Sequence, residues 1–323
     1  MARARECGER GDWRAAVALL TPLEARLAAD DLLLLARGCE ETGEATRAAE
    51  VLQRGVGRFS QDESLWLALV DHALERRQGG LALDRISAAR RQLGMSAQIE
   101  FRAAQAYYLL GHMLGRTKVR RVPDGRAGQF HRGWLLVELR VAPDRFLCAP
   151  RESALYALRQ ALDAGLDEPA AHCLHARIWQ RAGRPDVGLT ILRSREAAWL
   201  ENPTDETLAT LADVALAAGA FEGFLRYARR RADLRPELRA RILGDAYLAV
   251  AERYNERGDD AMYRAFLRRT LDLRPEDSEL MLRLADSTWE AGAHDDAAVL
   301  YRKVLEREAS HPERRRILRR LGE

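Results

Sequence analysis

The chain has 323 residues, 47% of them hydrophobic and 31% charged, with a formal net charge of +3. That is enough apolar material for a large core, and a surface of mixed sign demands neither a nucleic-acid nor a membrane partner. Apolar runs such as Leu32 to Ala36 are too short to span a bilayer, and the N-terminal MARARECGERGDW has no apolar signal core. Cys7, Cys39, Cys148 and Cys173 are scattered without a CxxC pair, which fits a reducing cytosol better than a disulfide framework. A cytoplasmic location is expected. Lys118 and Lys303 are the only lysines; the dominance of Arg reads as the codon bias of a GC-rich bacterial genome and warns against over-reading Arg clusters.

In chain order, amphipathic helices come in pairs that meet at a glycine. Met1 falls inside the first helix of the first pair and Gly11 marks its turn, so the array starts raggedly or the chain is a piece of a longer gene product. In the second pair Leu32, Leu35, Ala36 and Cys39 share one helical face, Gly43 turns the chain, and Ala48, Leu52 and Gly55 form the facing stripe. The third pair repeats this with Trp66, Leu69 and Ala73, then Ala82, Ile86 and Ala89. The fourth starts with Phe101, Ala104, Tyr107 and Tyr108 before Gly111, but its second stripe, Ala154, Leu158 and Ala161, is delayed by an insertion. Four further pairs follow: Glu168–Glu201 with Ala176, Trp179 and Gly183; Pro203–Pro236 with Leu208, Leu211, Gly219 and Phe224; Glu237–Glu276, whose first helix reads about one turn longer; and Asp277–Pro312. The tail ERRRILRRLGE forms a capping helix with Ile317 and Leu321 facing in.

Gly258 and Gly292 lie 34 residues apart, as do Phe266 and Leu300, and Gly43 and Gly111 are separated by 68. This period, with a small residue in each first helix, a turn glycine and a proline after the second helix, resembles the tetratricopeptide repeat. Pentatricopeptide repeats, which read RNA, have a slightly longer period. The resemblance implies an all-α, right-handed α-solenoid of about eight helix-turn-helix repeats, and a concave groove lined by the first helices that binds peptides or partner domains. The expected organisation is repeats 1 to 3 and the first helix of repeat 4 over 1–111, an insertion over 112–150, the remaining repeats over 151–312, and a cap over 313–323. Some family members grip a C-terminal carboxylate with Lys, Asn and Arg. Here the corresponding positions are apolar, such as Leu33 and Leu248, so that function is not carried over.

The residue after each small packing residue should face the groove. In order these are Arg5, Arg37, Asp71, Gln105, Arg177, Asp213, Glu252 and Asp286, with Glu256 and Glu290 one turn on. They read either as a charge gradient that orients a peptide or as solvated faces. The insertion contains an alternating stretch, Trp134 to Val141, with Leu135, Val137, Leu139 and Val141 on one face; Ala142-Pro143-Asp144 turns the chain. It reads as a β-hairpin, with Lys118 to Val122 as a third strand, packed by its apolar face on an adjacent helix. Arg116, Lys118, Arg120, Arg121, Arg126, Arg132, Trp134 and Arg140 form its candidate outer surface. Arg226, Arg229, Arg230 and Arg231, with Arg235, Arg239 and Arg241, make a second basic stretch, without the aromatic interleaving that base stacking needs. His172, Cys173 and His175 share one helix, but His175 falls in the core phase, so no metal site is expected. A Ser-His-Asp set, a phosphate loop and HExxH are all missing. The chain therefore reads as a non-catalytic protein-binding scaffold without a cofactor, with nucleic acid disfavoured as partner. Two alternatives stand beside it: anion or nucleic-acid binding through the insertion and Arg-rich helices, and an accessory region of a larger enzyme or assembly.

Overall fold

The computed structural model of the chain describes residues 1–142, 144–308 and 310–322. Pro143 of the expected hairpin turn lies outside the described residues, as do the side chains of Glu138, Leu139, Arg140 and Val141. The chain divides into two compact units, Met1–Gly183 and Arg184–Glu323.

The first unit pairs α1 (Ala2–Glu9) with α2 (Trp13–Leu20), α3 (Ala29–Glu41) with α4 (Ala45–Arg58), and α5 (Glu63–Glu75) with α6 (Gly79–Leu93). Next come α7 (Ala97–Leu109), a small sheet, α8 (Ala154–Asp163) and α9 (Pro169–Arg181). The turn chemistry explains the pairing. After α3, Gly43 takes φ +83°, a region closed to most side chains, and the Glu44 amide donates back to the Cys39 carbonyl at 2.7 Å. The same backbone bond follows Gly111, Gly219, Gly258 and Gly292. Halfway between Gly43 and Gly111 the left-handed position is held by Arg77, at φ +58°, with the same bond from Gln78 to Ala73. Asp62 caps α5 by accepting from the Leu65 amide, and Ser153 caps α8 by accepting from Tyr156. Pro22, lacking an amide, converts the end of α2 into the 3-10 turn Thr21–Arg26.

The expected core stripes are buried: Leu32, Leu35, Cys39, Ala48 and Leu52; Leu69, Ala73, Ala82 and Ile86; Phe101, Ala104, Ala154, Leu158 and Ala161. Tyr107 and Tyr108 are only half-buried. Despite the insertion, α7 packs against α8. The two ends of the insertion are tied by backbone bonds, from the Ala154 amide to the His112 carbonyl (2.8 Å) and from Leu155 to Met113 (3.1 Å). The fourth helix pair therefore closes as its neighbours do.

The insertion is a four-stranded antiparallel sheet in the order β1-β4-β3-β2, more than the expected hairpin with one added strand. Its strands are β1 (Lys118–Arg121), β2 (Phe130–His131), β3 (Trp134–Ala142) and β4 (Arg145–Ala149). Strands β3 and β4 form the hairpin, and Lys118 stands opposite Cys148 across β1 and β4. Both faces of the start of β3 are covered. Leu135 and Val137 are buried, and Leu136 joins Val122, Phe146 and Cys148 in a small core of the sheet's own, against which Trp134 packs. Trp134 is thus half-buried, not on an open face as the alternation suggested. Phe130 packs edge-on to Tyr156 of α8, ring centroids 4.7 Å apart.

The second unit consists of α10 (Pro185–Arg193), α11 (Glu196–Glu201), α12 (Asp205–Ala217), α13 (Phe221–Leu234), α14 (Arg239–Glu256), α15 (Asp260–Leu273), α16 (Ser278–Glu290), α17 (His294–Arg307) and α18 (Arg314–Leu321). Helices α12, α14 and α16 pack on α13, α15 and α17 respectively. Helix α14 has 18 residues where α12 and α16 have 13, the extra turn expected from sequence. Ile317 of α18 is buried in the terminal cluster with Ala285, Ala297, Tyr301 and Val304. Among the described residues no helix is long and apolar enough to cross a membrane.

Candidate functional site

In the first unit, the residues after the small packing positions lie along the first-helix face, and most already have an intramolecular partner. Arg5 donates twice to Asp31, at 3.1 and 2.8 Å, and Asp31 is only 5% exposed. Asp71 receives both arms of Arg102, each at 3.0 Å. Arg37 is exposed, its guanidinium 5.2 Å from the centroid of the Trp13 ring. Gln105 and Arg177 are half-buried. Between α3 and α5 lies an open cavity of about 600 Å³, lined by Leu33, Ala36, Arg37, Glu40, Asp71 and His72. Buried His72 is held there by its Nδ1 contact of 2.8 Å with Glu40.

In the second unit the expected acidic end is largely neutralised from within. Glu252 bonds to Arg283, which also donates to the Tyr263 hydroxyl at 3.0 Å. Glu256 accepts from Arg253 at 2.8 Å; Asp213 and Glu290 are exposed. Asp286 sits in a cage: Arg316 donates to both its oxygens (2.8 and 2.9 Å), Arg320 at 2.6 Å and the Tyr301 hydroxyl at 2.6 Å. Partial burial alone would raise the Asp286 carboxyl, but these donors outweigh it and hold it below the usual carboxylate range. Burial, with the proton shared toward Asp286, pushes the Tyr301 phenol up to about 12. The Arg-rich stretch is likewise engaged: Arg226 pairs with Glu196, Arg231 and Arg235 with Asp205, and Arg239 with Asp233, while Arg229, Arg230 and Arg241 are exposed.

The insertion differs. Arg121 pairs with Asp144 at 2.5 Å, but Arg116, Lys118, Arg120, Arg126 and Arg132 have no carboxylate partner among the described residues. Arg120 and Lys118 instead lie over the Trp134 ring, 4.5 and 5.6 Å from its centroid. Where the sheet meets the turn of the fourth helix pair, a cleft of about 900 Å³ opens, lined by Met113, Leu114, Arg116, Lys118, Trp134 and Arg181, with Glu152 as its acid. Arg140, the remaining member of the expected surface, lies outside the described side chains.

No protein-family model matches the chain, and no curated protein matches it in sequence. Similar solved structures include a tetratricopeptide-repeat protein from Parabacteroides merdae, 12% identical, covering 91% of this chain and 99% of that one with a TM-score of 0.48. A thermophilic repeat protein of Thermus thermophilus is 18% identical, covering 68% and 100%, TM-score 0.48. YrrB, described as a repeat protein with an unusual peptide-binding site, is 14% identical, covering 71% and 95%, TM-score 0.46. The deciding feature is internal: helix pairs within each unit, joined through left-handed turns at Gly43, Arg77 and Gly111, and again at Gly258 and Gly292, each one period from the next. In fold, the helix pairs of each unit follow the tetratricopeptide-like pattern read from the sequence.

Within the repeats, the residues that suggested chemistry serve packing. His175 is buried, and desolvation, reinforced by the nearby positive character of His172 and Arg159, pushes its imidazole down to about 4. His172 faces Asp167 at 2.7 Å. No group of three or more metal-ligating side chains occurs among the described residues. Cys39, Cys148 and Cys173 are buried thiols outside any disulfide, and burial raises Cys39 and Cys148. Sequence reasoning missed the inter-repeat ion pairs. Asp71–Arg102 and Glu252–Arg283 both span 31 residues, and that recurring interval was the available signal.

Proposed function

We propose that the protein is a non-catalytic scaffold of a bacterial cytoplasm that binds a peptide or partner domain on the first-helix faces of its repeats. Repeats over 1–111 and 151–312, an insertion over 112–150 and a cap over 313–323 are its working parts. The observation that supports this most is the cavity between α3 and α5. It brings apolar Leu33 and Ala36 beside exposed Arg37 and the half-exposed carboxylates of Glu40 and Asp71, the mixture of shape and polar handles that peptide sites use. Gln105 and Arg177 extend that face in the first unit. Asp213, Glu252, Glu256, Asp286 and Glu290 form the corresponding face of the second. There Asp286, Glu252 and Glu256 are engaged internally, and the exposed carboxylate of Glu290 is the contact offered to a partner. A photo-crosslinking residue at Arg37 tests the reading against one at Arg54, on the second helix of the same repeat. In extracts of the source cell, a discrete protein adduct at position 37 and none at position 54 is expected. Adducts equal at both positions, or none at 37, contradict it.

A further inference from the structure

The cleft beneath the insertion is a different surface from the first-helix face, and its charge has no internal answer. Residues 112–150 carry eight basic and three acidic side chains. Of the basic ones only Arg121 has a carboxylate partner among the described residues. In the repeats many arginines, among them Arg5, Arg102, Arg231 and Arg316, meet a carboxylate, and in the insertion the unpaired cations gather around one cleft. The cleft also has apolar walls, from Met113, Leu114 and Trp134. Alongside it runs β1, an outer strand of the sheet, and Val119 on that strand is 53% exposed. An outer strand presents unpaired backbone groups to an extended chain. Here its sequence, Lys118-Val119-Arg120-Arg121, repels a second copy of itself by like charge and favours a chain of opposite charge.

We propose that the cleft and the β1 edge form a docking site for an extended acidic peptide segment of a partner protein. Its carboxylates would meet Arg116, Lys118 and Arg181, and an apolar side chain would enter against Met113 and Leu114. The arrangement over Trp134 favours a peptide over a nucleic acid. A base stacking on that ring competes with Arg120 and Lys118, which already lie over it. An acidic peptide leaves these contacts in place and adds its carboxylates to the same cations. The occupant shares its chemical class with the scaffold reading, but the site shares no residue with the α3–α5 cavity, so the two stand or fall separately.

The test uses the full chain and fluorescence anisotropy. One probe is a fluorescein-labelled peptide of alternating Asp and Glu around a central Leu; a second is its Asn/Gln analogue; a third is an oligothymidylate of equal charge. The expected result is binding of the acidic peptide, with little binding of the neutral analogue and weaker binding of the oligothymidylate. Arg116→Glu combined with Lys118→Glu weakens the acidic peptide by roughly tenfold or more, and Arg37→Glu leaves it unchanged. Both cleft positions are exposed, and circular dichroism of the double variant should match the parent. Undiminished binding by the double variant, or equal or tighter binding of the oligothymidylate, overturns the proposal. Loss on Arg37→Glu alone, with the double variant unaffected, assigns the peptide to the first-helix face and overturns it equally.

Discussion

In the helical repeats an arginine is commonly answered by a carboxylate or a carbonyl of a neighbouring helix, whereas in residues 112–150 it commonly is not. Arg5 meets Asp31, Arg90 meets Glu100, Arg102 meets Asp71, Arg231 meets Asp205 and Arg316 meets Asp286. Arg58 reaches back to the carbonyls of Glu24 and Leu27. In the insertion only Arg121 among the described side chains has such a partner. The whole chain is +3 and the insertion +5, so the remaining sequence is net −2. The basic character of the protein therefore resides in the inserted sheet. One residue type, at similar density, holds repeats together in one region and stands largely without carboxylate partners in the other.

The largest effect is expected from stranding a carboxylate in a repeat. Glu100 is 2% exposed and takes both arms of Arg90, at 2.8 and 2.5 Å. Arg90→Ala leaves that charge buried without a partner and should cost about 3 kcal/mol in urea unfolding of the first unit. A cost near zero would mean that repeat arginines are as dispensable as those of the sheet.

A second test of comparable size uses pH. His175 has its imidazole pushed from 6.5 down to about 4 by burial. Because the folded value is depressed, its contribution is fully present above pH 6.5. It is lost as pH falls toward 4, where the unfolded chain takes up a proton that the folded chain refuses. The slope is about 1.4 kcal/mol per pH unit, or about 3 kcal/mol over the window. His175→Leu should flatten that part of the stability–pH curve; an unchanged slope would place the acid sensitivity elsewhere.

Arg77 offers a smaller effect of opposite sign. It holds the left-handed turn that glycine holds one period to either side. Arg77→Gly should stabilise by about 1 kcal/mol, read as a rise in the unfolding midpoint. Smallest of all, Arg116→Ala and Arg126→Ala in the insertion should each change stability by no more than about 0.5 kcal/mol. A larger loss would show that the sheet needs its cations for folding.

The repeats were legible because their signals are local. A small residue, a turn glycine and a helical stripe can all be read within one period, and the strands of the hairpin announced themselves by alternation. What was not legible depends on partners far along the chain. Asp71 and Glu252 look like solvated charges until a helix about one period later supplies Arg102 and Arg283. Trp134 looked like an exposed residue because alternation assigns faces but does not say that a strand will be covered on both. Strand β2 is only two residues, Phe130 and His131, too short to leave a pattern. Arg77 was invisible because neighbouring turns are marked by a glycine, whereas here the backbone bond from Gln78 to Ala73 forms without one.

The fourth helix pair closes by itself, and the insertion is a separable, charge-bearing addition to it. The bonds from Ala154 to His112 and from Leu155 to Met113 already join the flanks of the insertion. The direct measurement is hydrogen exchange on a chain in which residues 114–150 are replaced by Gly-Asp, with the acidic peptide titrated into the same sample. The amides of α7 and α8 should keep their protection, apart from a modest loss around Tyr156 where Phe130 no longer packs, and peptide binding should vanish. Exchange that collapses through α7 and α8, or binding that survives the replacement, would contradict the account.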